Sequence, residues 1–161
     1  SCIDTTMGFT PLEGLVMATR SGSVDPGLLL ALMRRGYNAD QIASILQEQS
    51  GLKGLSDLSG NMQDIRAEAL AGHDGAAMAL AVFKHRLQQL IGSMAASLHG
   101  VDVLALTGGI GEHDGALQQE LRVELEWLTD LEITVIRADE EGMIARLCRR
   151  SRSHTQSAAV G

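Results

Sequence analysis

The chain has 161 residues, of which 45% are hydrophobic and 2% aromatic, and a formal net charge of −7 at pH 7. This length fits one domain or half of a larger protein, with a core of aliphatic side chains and methionine. The negative charge argues against a nucleic-acid partner, whose phosphates would be repelled, and no apolar run reaches the roughly 18 residues of a membrane span.

The opening residues 1–9, SCIDTTMGF, begin abruptly, and Cys2–Thr6 within them fit the end of a strand with nothing before it to pair with, so we expect a piece of a longer protein. Cys2 and Cys148 are far apart and unpatterned, which favours two free thiols in a reducing cytoplasm over one disulfide. The five histidines show no metal-ligand spacing. We therefore expect a cytoplasmic protein.

Helix-start signals dominate the first third of the chain. Thr10-Pro11 and Asp25-Pro26 each place a capping residue before a proline at the first helical position. Asn38 caps a third predicted helix. Residues 51–61, GLKGLSDLSGN, are rich in glycine and serine and predict a loop, although the spacing of its leucines suggests that it packs against the protein.

Residues 75–99 predict the longest helix. Apolar side chains recur in it at spacings of three and four: Leu80, Phe83, Leu87, Leu90, Ile91, Met94 and Leu98. Such a stripe is typical of a helix that faces a core. A dimer interface is the alternative for part of it.

A strand, a glycine segment and a helix follow over residues 101–128. Val101–Leu106 reads as a buried strand, and Gly108, Gly109 and Gly111 fall within the next five residues. Asp114 is the expected N-cap of the next helix. This order lets backbone N–H groups approach a phosphate, but it fits a tight structural turn equally well.

The chain closes with a second strand candidate, 133–136, and a helix capped by Asp139. We expect Met143, Ile144 and Leu147 to face inward and residues 151–161 to form a disordered tail. The element order is that of an α/β unit. Two strands cannot make a sheet covered on both faces, so the sheet is expected to need strands from elsewhere.

Three stretches together resemble the acetokinase family of acetate and propionate kinases. They are SCIDTTMGFTPLEGL followed by ATRSGSVDP, then LTGGIGEH, then RADEEGMIAR. The resemblance covers residues 1–147. It implies that residues 1–150 are the C-terminal nucleotide-binding domain of such a kinase. The implied fold is the C-terminal half of the actin-like, sugar-kinase and heat-shock-ATPase (ribonuclease H-like) α/β fold.

The family resemblance also implies an activity, the reversible transfer of the γ-phosphoryl group of ATP to a short-chain carboxylate with Mg²⁺. The implied partners are acetate or propionate or its acyl phosphate, the missing N-terminal domain, and a second copy in a homodimer. The isolated chain is expected to be inactive. A degenerate nucleotide-binding or dimerisation module without turnover is the alternative.

Two charged residues match catalytic positions of the family. Arg20 matches the arginine of the TRSG segment, which is implied to hold the carboxylate and the transferring phosphoryl group. Glu140 matches the glutamate on the magnesium side. Without the resemblance, Arg20 would be read as a solvated turn residue, and Glu140 as a carboxylate that complements a helix dipole.

The family's adenosine and phosphate loop matches Gly108, Gly109, Ile110, Gly111, Glu112 and His113, with His113 standing where the family usually has asparagine. A second nucleotide segment, S-D-x-R in the family, falls on Gly60, Asn61, Met62 and Gln63. Asn and Gln there replace Asp and Arg, which removes one charge of each sign. A guanidinium can pair with charge and an amide cannot, so these changes favour the degenerate-module alternative.

Overall fold

The structure, a computed structural model, describes residues 2–158, with side chains described through Arg149. Within these residues the elements run α1 Pro26–Arg34, α2 Ala39–Glu48, α3 Gly51–Ser56, α4 Met62–Leu70, α5 Asp74–Ser97, β1 Val103–Leu106, α6 Gly108–His113, α7 Gly115–Glu124, β2 Glu132–Val135 and α8 Glu140–Ala158. No described helix is long and apolar enough to cross a membrane. Cys2 and Cys148 are free and exposed, as predicted.

The two strands form a parallel pair. Val103 is in register with Glu132 and Leu106 with Val135, and the Ile136 N–H donates to the Leu106 carbonyl at 2.8 Å. In a parallel pair both carboxyl ends lie at the same edge. The segments that follow β1 and β2 therefore leave the sheet side by side.

The core lies where α5 meets α3, α4, α7 and the sheet. Leu52, Ile65 and Leu121 are fully buried, and Phe83 of the predicted stripe is 3% exposed. The other stripe residues that pack against this core are partly buried: Leu80, Leu87 and Ile91. The prediction that most of the stripe serves the core is confirmed for these residues, whereas Leu98 at the end of α5 is half exposed.

The predicted helix caps at the starts of α1, α2 and α7 are confirmed. Asp25 accepts from the Gly27 N–H at 2.8 Å, Asn38 from the Gln41 N–H at 2.9 Å, and Asp114 from the Leu117 N–H at 3.0 Å. A cap satisfies a backbone N–H that the helix itself leaves unpaired. These starts are set by residues within three positions of one another, which is why the sequence reveals them.

The helix predicted from Pro11 is wrong. Residues 10–20 form turns and bends, and the Ser23 N–H donates to the Gly14 carbonyl at 3.0 Å. Gly14 has φ +95° and Gly22 has φ +69°. A Cβ on Gly22 would lie 2.8 Å from the Gly14 oxygen. The close approach of these two glycines overrides the cap-and-proline signal.

The loop predicted over residues 51–61 is also wrong in part, because Gly51–Ser56 form α3. The Leu52 N–H donates to the Met17 carbonyl at 2.8 Å, and the Lys53 N–H to the Ala18 carbonyl at 3.0 Å. This neighbouring segment satisfies the first N–H groups of the helix, and the fully buried Leu52 anchors it. The expectation that the segment packs is confirmed.

The inward orientation predicted for the apolar residues of α8 is wrong. Met143, Ile144 and Leu147 are 52%, 61% and 55% exposed. α8 continues to Ala158, and no glycine or proline interrupts it after Met143. The tail over residues 151–161 stays a prediction. Residues 159–161 lie outside the described residues. The domain boundary at residue 150 stays a prediction.

Candidate functional site

A cleft of about 340 Å³ brings together the two segments that match the family's nucleotide positions. Its lining consists of Ala18, Gly60, Asn61, Met62, Gln63, Gly109, Ile110, His113 and Asp114. Seven of the nine lining residues therefore belong to the two segments that the resemblance assigned to the nucleotide. The sequence did not predict Ala18 as part of it, and Asp114 was predicted only as a helix cap.

The start of α4 presents the first of these segments. The Asn61 side-chain oxygen caps the helix by accepting from the Gln63 N–H at 2.8 Å. Its amide NH₂ donates no hydrogen bond to the part of the chain that is described, so it is available as a donor. Glycine is required at Gly60, because a Cβ there would lie 2.8 Å from the Ala18 carbonyl oxygen. This contact explains how Ala18 joins the cleft.

The second segment, predicted as a glycine loop, is the short helix α6, and its glycines differ in their surroundings. Gly108 has φ +74°, which requires glycine on backbone grounds. A Cβ on Gly111 would lie 3.2 Å from the Leu106 carbonyl carbon, so this glycine lets α6 pack on β1. A Cβ on Gly109 would meet open space. Of the three, only Gly109 lines the cleft.

Glu112 of α6 is not among the residues that line the cleft. Its Oε1 accepts from the Gly108 N–H at 2.9 Å and from the Ala138 N–H at 2.8 Å. The Ala138 hydrogen bond, more than any other interaction, holds the pKa of the Glu112 carboxyl below its ordinary value, and the Gly108 hydrogen bond acts in the same direction. The carboxylate is thus engaged with backbone on both sides of the sheet edge.

A charge network that the sequence did not reveal reaches the cleft through Asp114. Arg66 of α4 donates through Nε to Asp114 Oδ2 at 2.8 Å and through Nη1 to Glu120 Oε1 at 3.1 Å. Lys84 of α5 lies 3.5 Å from Glu120 and 3.6 Å from Glu124. The network joins α4, α5 and α7. Its members are too far apart in sequence for any local pattern to pair them.

Burial and pairing act in opposite directions on the pKa of Arg66. Burial lowers it, but hydrogen bonds to Glu120 and Asp114 outweigh burial, so the pKa lies above its ordinary value. In turn, the hydrogen bond from Arg66 is the main reason that the pKa of Glu120 is lowered. The side chain of Asp114 is 6% exposed. Its charge is therefore paired before any ligand enters the cleft.

Arg20 and Glu140 do not line the cleft. The exposed Arg20 side chain makes one hydrogen bond within the described part of the chain, from Nη1 to Met17 Sδ at 3.9 Å. Ala18, two residues earlier, does line the cleft. Glu140 is exposed at the first turn of α8. No cluster of three or more potential metal ligands occurs among the residues that the structure describes.

Three acidic residues lie at the start of α8, Asp139, Glu140 and Glu141. Asp139 is already engaged. Its Oδ2 pairs with Arg146 at 2.7 Å, and its Oδ1 accepts from the Gly142 N–H at 3.2 Å. Glu140 has no recorded partner in the described part of the chain. A hard divalent cation prefers unpaired carboxylate oxygens. The donor chemistry therefore fits Glu140 better than Asp139.

Comparisons with known proteins agree with the three motifs. The model of the Acetokinase family matches residues 1–158. Acetate kinase from Acaryochloris marina is 51% identical over 126 residues, which are 78% of this chain and 32% of that protein. Acetate kinase from Porphyromonas gingivalis superposes with a TM-score of 0.83 at 32% identity, covering 88% of this chain and 41% of that one.

A propionate kinase from Francisella tularensis gives a TM-score of 0.82, also at 32% identity, over 88% of this chain and 42% of that one. The chain thus spans less than half the length of each of these proteins. The predicted fold class is confirmed, since these kinases have the actin-like ATPase fold and the mixed helix and sheet described above superposes on part of it. The chain belongs to the acetokinase family.

Proposed function

We propose that this chain is the nucleotide-binding part of an ATP-dependent kinase for a short-chain carboxylate, active only as part of the complete protein. The observation that carries the proposal is the cleft between the start of α4 and α6. Two segments that match the family's nucleotide motifs, distant in sequence, line this one space. Its volume of about 340 Å³ is within the range of small-ligand pockets.

The lining suits a nucleoside more than a free phosphate. Met62 and Ile110 offer apolar surface to a base, while Asn61 and Gln63 offer amide groups to ring nitrogens or ribose hydroxyls. Asp114 is paired with Arg66 and brings no unpaired negative charge. ADP or ATP would thus bind by its adenosine end here and extend its phosphates past Gly109.

Magnesium and the reacting groups would lie beyond the cleft. Glu140 would contribute a carboxylate oxygen to the ion, whose chemistry is to neutralise charge on the phosphates. Arg20 would hold the transferring phosphoryl group and the carboxylate substrate with its planar guanidinium. The acyl pocket would come from the rest of the protein, as would the remaining catalytic groups.

Replacing Gly109 with alanine in the complete protein is expected to weaken ADP binding by roughly tenfold or more without loss of stability. The added methyl would meet no atom of the described chain within 4 Å, and Gly109 lines the cleft, so a bound nucleotide is what the methyl would oppose. Isothermal titration calorimetry gives the affinity, and the thermal midpoint reports folding. Gly92→Ala on α5, also facing open space but outside the cleft, is the matched control. Normal ADP affinity in Gly109→Ala would refute the cleft as the nucleotide site.

The isolated 161-residue chain is expected to form no acyl phosphate from ATP, Mg²⁺ and acetate or propionate. This chain aligns with only 32% of its curated relative from Acaryochloris marina, and the γ-phosphate and the carboxylate need enclosure for transfer. A hydroxamate assay on the purified chain measures this, with the complete protein as positive control. Turnover comparable to that of the complete protein would contradict the expectation.

A degenerate nucleotide-binding module is the second candidate function. Asn61, Gln63 and His113, the three departures from the family pattern, all line the cleft. They therefore alter the lining itself. A complete protein that binds ADP but turns over neither acetate nor propionate would favour this candidate. The homodimer and the cytoplasmic location stay predictions, the first testable by sedimentation of the complete protein.

A further inference from the structure

Glu112 joins the two segments that leave the carboxyl edge of the sheet. Gly108 follows β1, and Ala138 precedes α8. The N–H groups of both donate to the same carboxylate oxygen, Oε1, at 2.9 and 2.8 Å. Past the hydrogen bond from Ile136 to Leu106, strand pairing has ended. The Glu112 side chain thus continues the connection between the two segments where the backbone no longer provides it.

These two segments carry different parts of the proposed site. The first contains Gly109, which lines the cleft, and the second leads within two residues to Glu140. We propose that Glu112 is a positioning residue, which fixes the cleft-lining turn of α6 against the segment that presents Glu140. This inference rests on the proposed function for its effect on ligands. The tether itself is a property of the structure alone.

The remaining contacts of α6 make this tether specific. Gln118 of α7 donates to the Gly111 carbonyl at 3.0 Å, which fixes α6 to α7 independently of the Glu112 carboxylate. Without Glu112, α6 would still be fixed to α7, but the segment through Ala138 would lose its attachment to α6. A change at Glu112 should therefore alter the distance between the cleft and Glu140, while the fold of α6 and of α8 is kept.

Two substitutions at Glu112 separate the effect of side-chain length from the effect of its negative charge. Glu112→Gln keeps the side-chain length and an oxygen acceptor but loses the charge, whereas Glu112→Asp keeps the charge and shortens the side chain by one methylene, too short to reach both N–H groups. If Glu112 acts by position, glutamine should substitute for it and aspartate should not. If it acts by charge on a ligand, the order should be reversed.

The experiment uses the complete protein and two measurements. Amide hydrogen exchange at Gly108 and Ala138 reports the tether without any ligand. Calorimetry with ADP, in the presence and absence of Mg²⁺, reports the site. For Glu112→Asp we expect faster exchange at Ala138 and an affinity for ADP with Mg²⁺ lowered by roughly tenfold, with a smaller loss when Mg²⁺ is absent. Glu112→Gln should stay within about threefold of the parent protein. Glu68→Ala, an exposed glutamate on α4, is the control.

Each outcome decides the proposal. Aspartate behaving like the parent, or glutamine losing affinity while both amides stay protected, would overturn the positioning role. If the parent protein binds no ADP at all, the proposed function fails. The exchange rates of Gly108 and Ala138 still show in that case whether Glu112 holds the two segments together.

Discussion

Replacing Arg20 with alanine in the complete protein is expected to lower turnover by on the order of 10³ or more, because a guanidinium that stabilises a transferring phosphoryl group supplies that much. Folding should change by less than about 0.5 kcal/mol. The Arg20 side chain is exposed, and its one recorded contact, to the Met17 sulfur, is long. The Arg20 carbonyl that accepts from the Met17 N–H belongs to the backbone and survives the substitution.

The measurement is kcat with ATP, Mg²⁺ and acetate or propionate, together with the thermal midpoint. Arg20→Lys tests the chemistry further, since a single ammonium cannot replace the planar fork and should also be slow. Arg34→Ala, an exposed arginine in the last turn of α1, is the matched control. Near-normal turnover in Arg20→Ala would make Arg20 an ordinary solvated turn residue.

Replacing Arg66 with alanine is expected to destabilise the protein by about 2–3 kcal/mol. Removing one partner of a fully buried ion pair costs about 3–5 kcal/mol, and the figure here is lower because the Arg66 side chain is 20% exposed. The loss leaves Asp114 buried and unpaired beside the cleft, and it removes the connection from α4 to α7. ADP affinity should fall together with stability.

Denaturant unfolding of the complete protein at several pH values tests this expectation. Arg66 holds the pKa of Glu120 below its ordinary value of 4.5. A depressed carboxyl pKa contributes stability that is present above the ordinary value and lost as the pH falls through the folded value. The deficit of Arg66→Ala should therefore be largest above pH 4.5 and shrink in acid. Arg86→Ala on α5 is the control, since Arg86 hydrogen-bonds to Gln89 and forms no ion pair with the residues that the structure describes. If Arg66→Ala and Arg86→Ala lowered the free energy of unfolding equally, the stabilising role of the Arg66 network would be contradicted.

Features that depend on residues close together in the chain could be predicted from the sequence. Asp25, Asn38 and Asp114 cap helices through N–H groups two or three residues away. The strands and α5 were predicted from hydrophobic runs and periodicity. The motifs around Asn61 and Gly109 identified both sides of the cleft before its geometry was known. The caps depend on interactions within one helix start, whereas the two cleft motifs were identified through the family resemblance.

Only the tertiary structure decided the rest, because the deciding partners are distant in sequence. Residues 10–20 form turns instead of the predicted helix, because Gly14 and Gly22 approach each other closely. The α3 helix begins where its first N–H groups donate to the carbonyls of Met17 and Ala18. Gly111 lets α6 pack closely on β1, whereas Gly109 lines the cleft. Glu112 accepts from Gly108, four residues earlier, and also from Ala138, which is 26 residues away and lies beside it because β1 and β2 pair. Such contacts appear once the chain has folded, since no local pattern encodes which distant backbone group a side chain will meet.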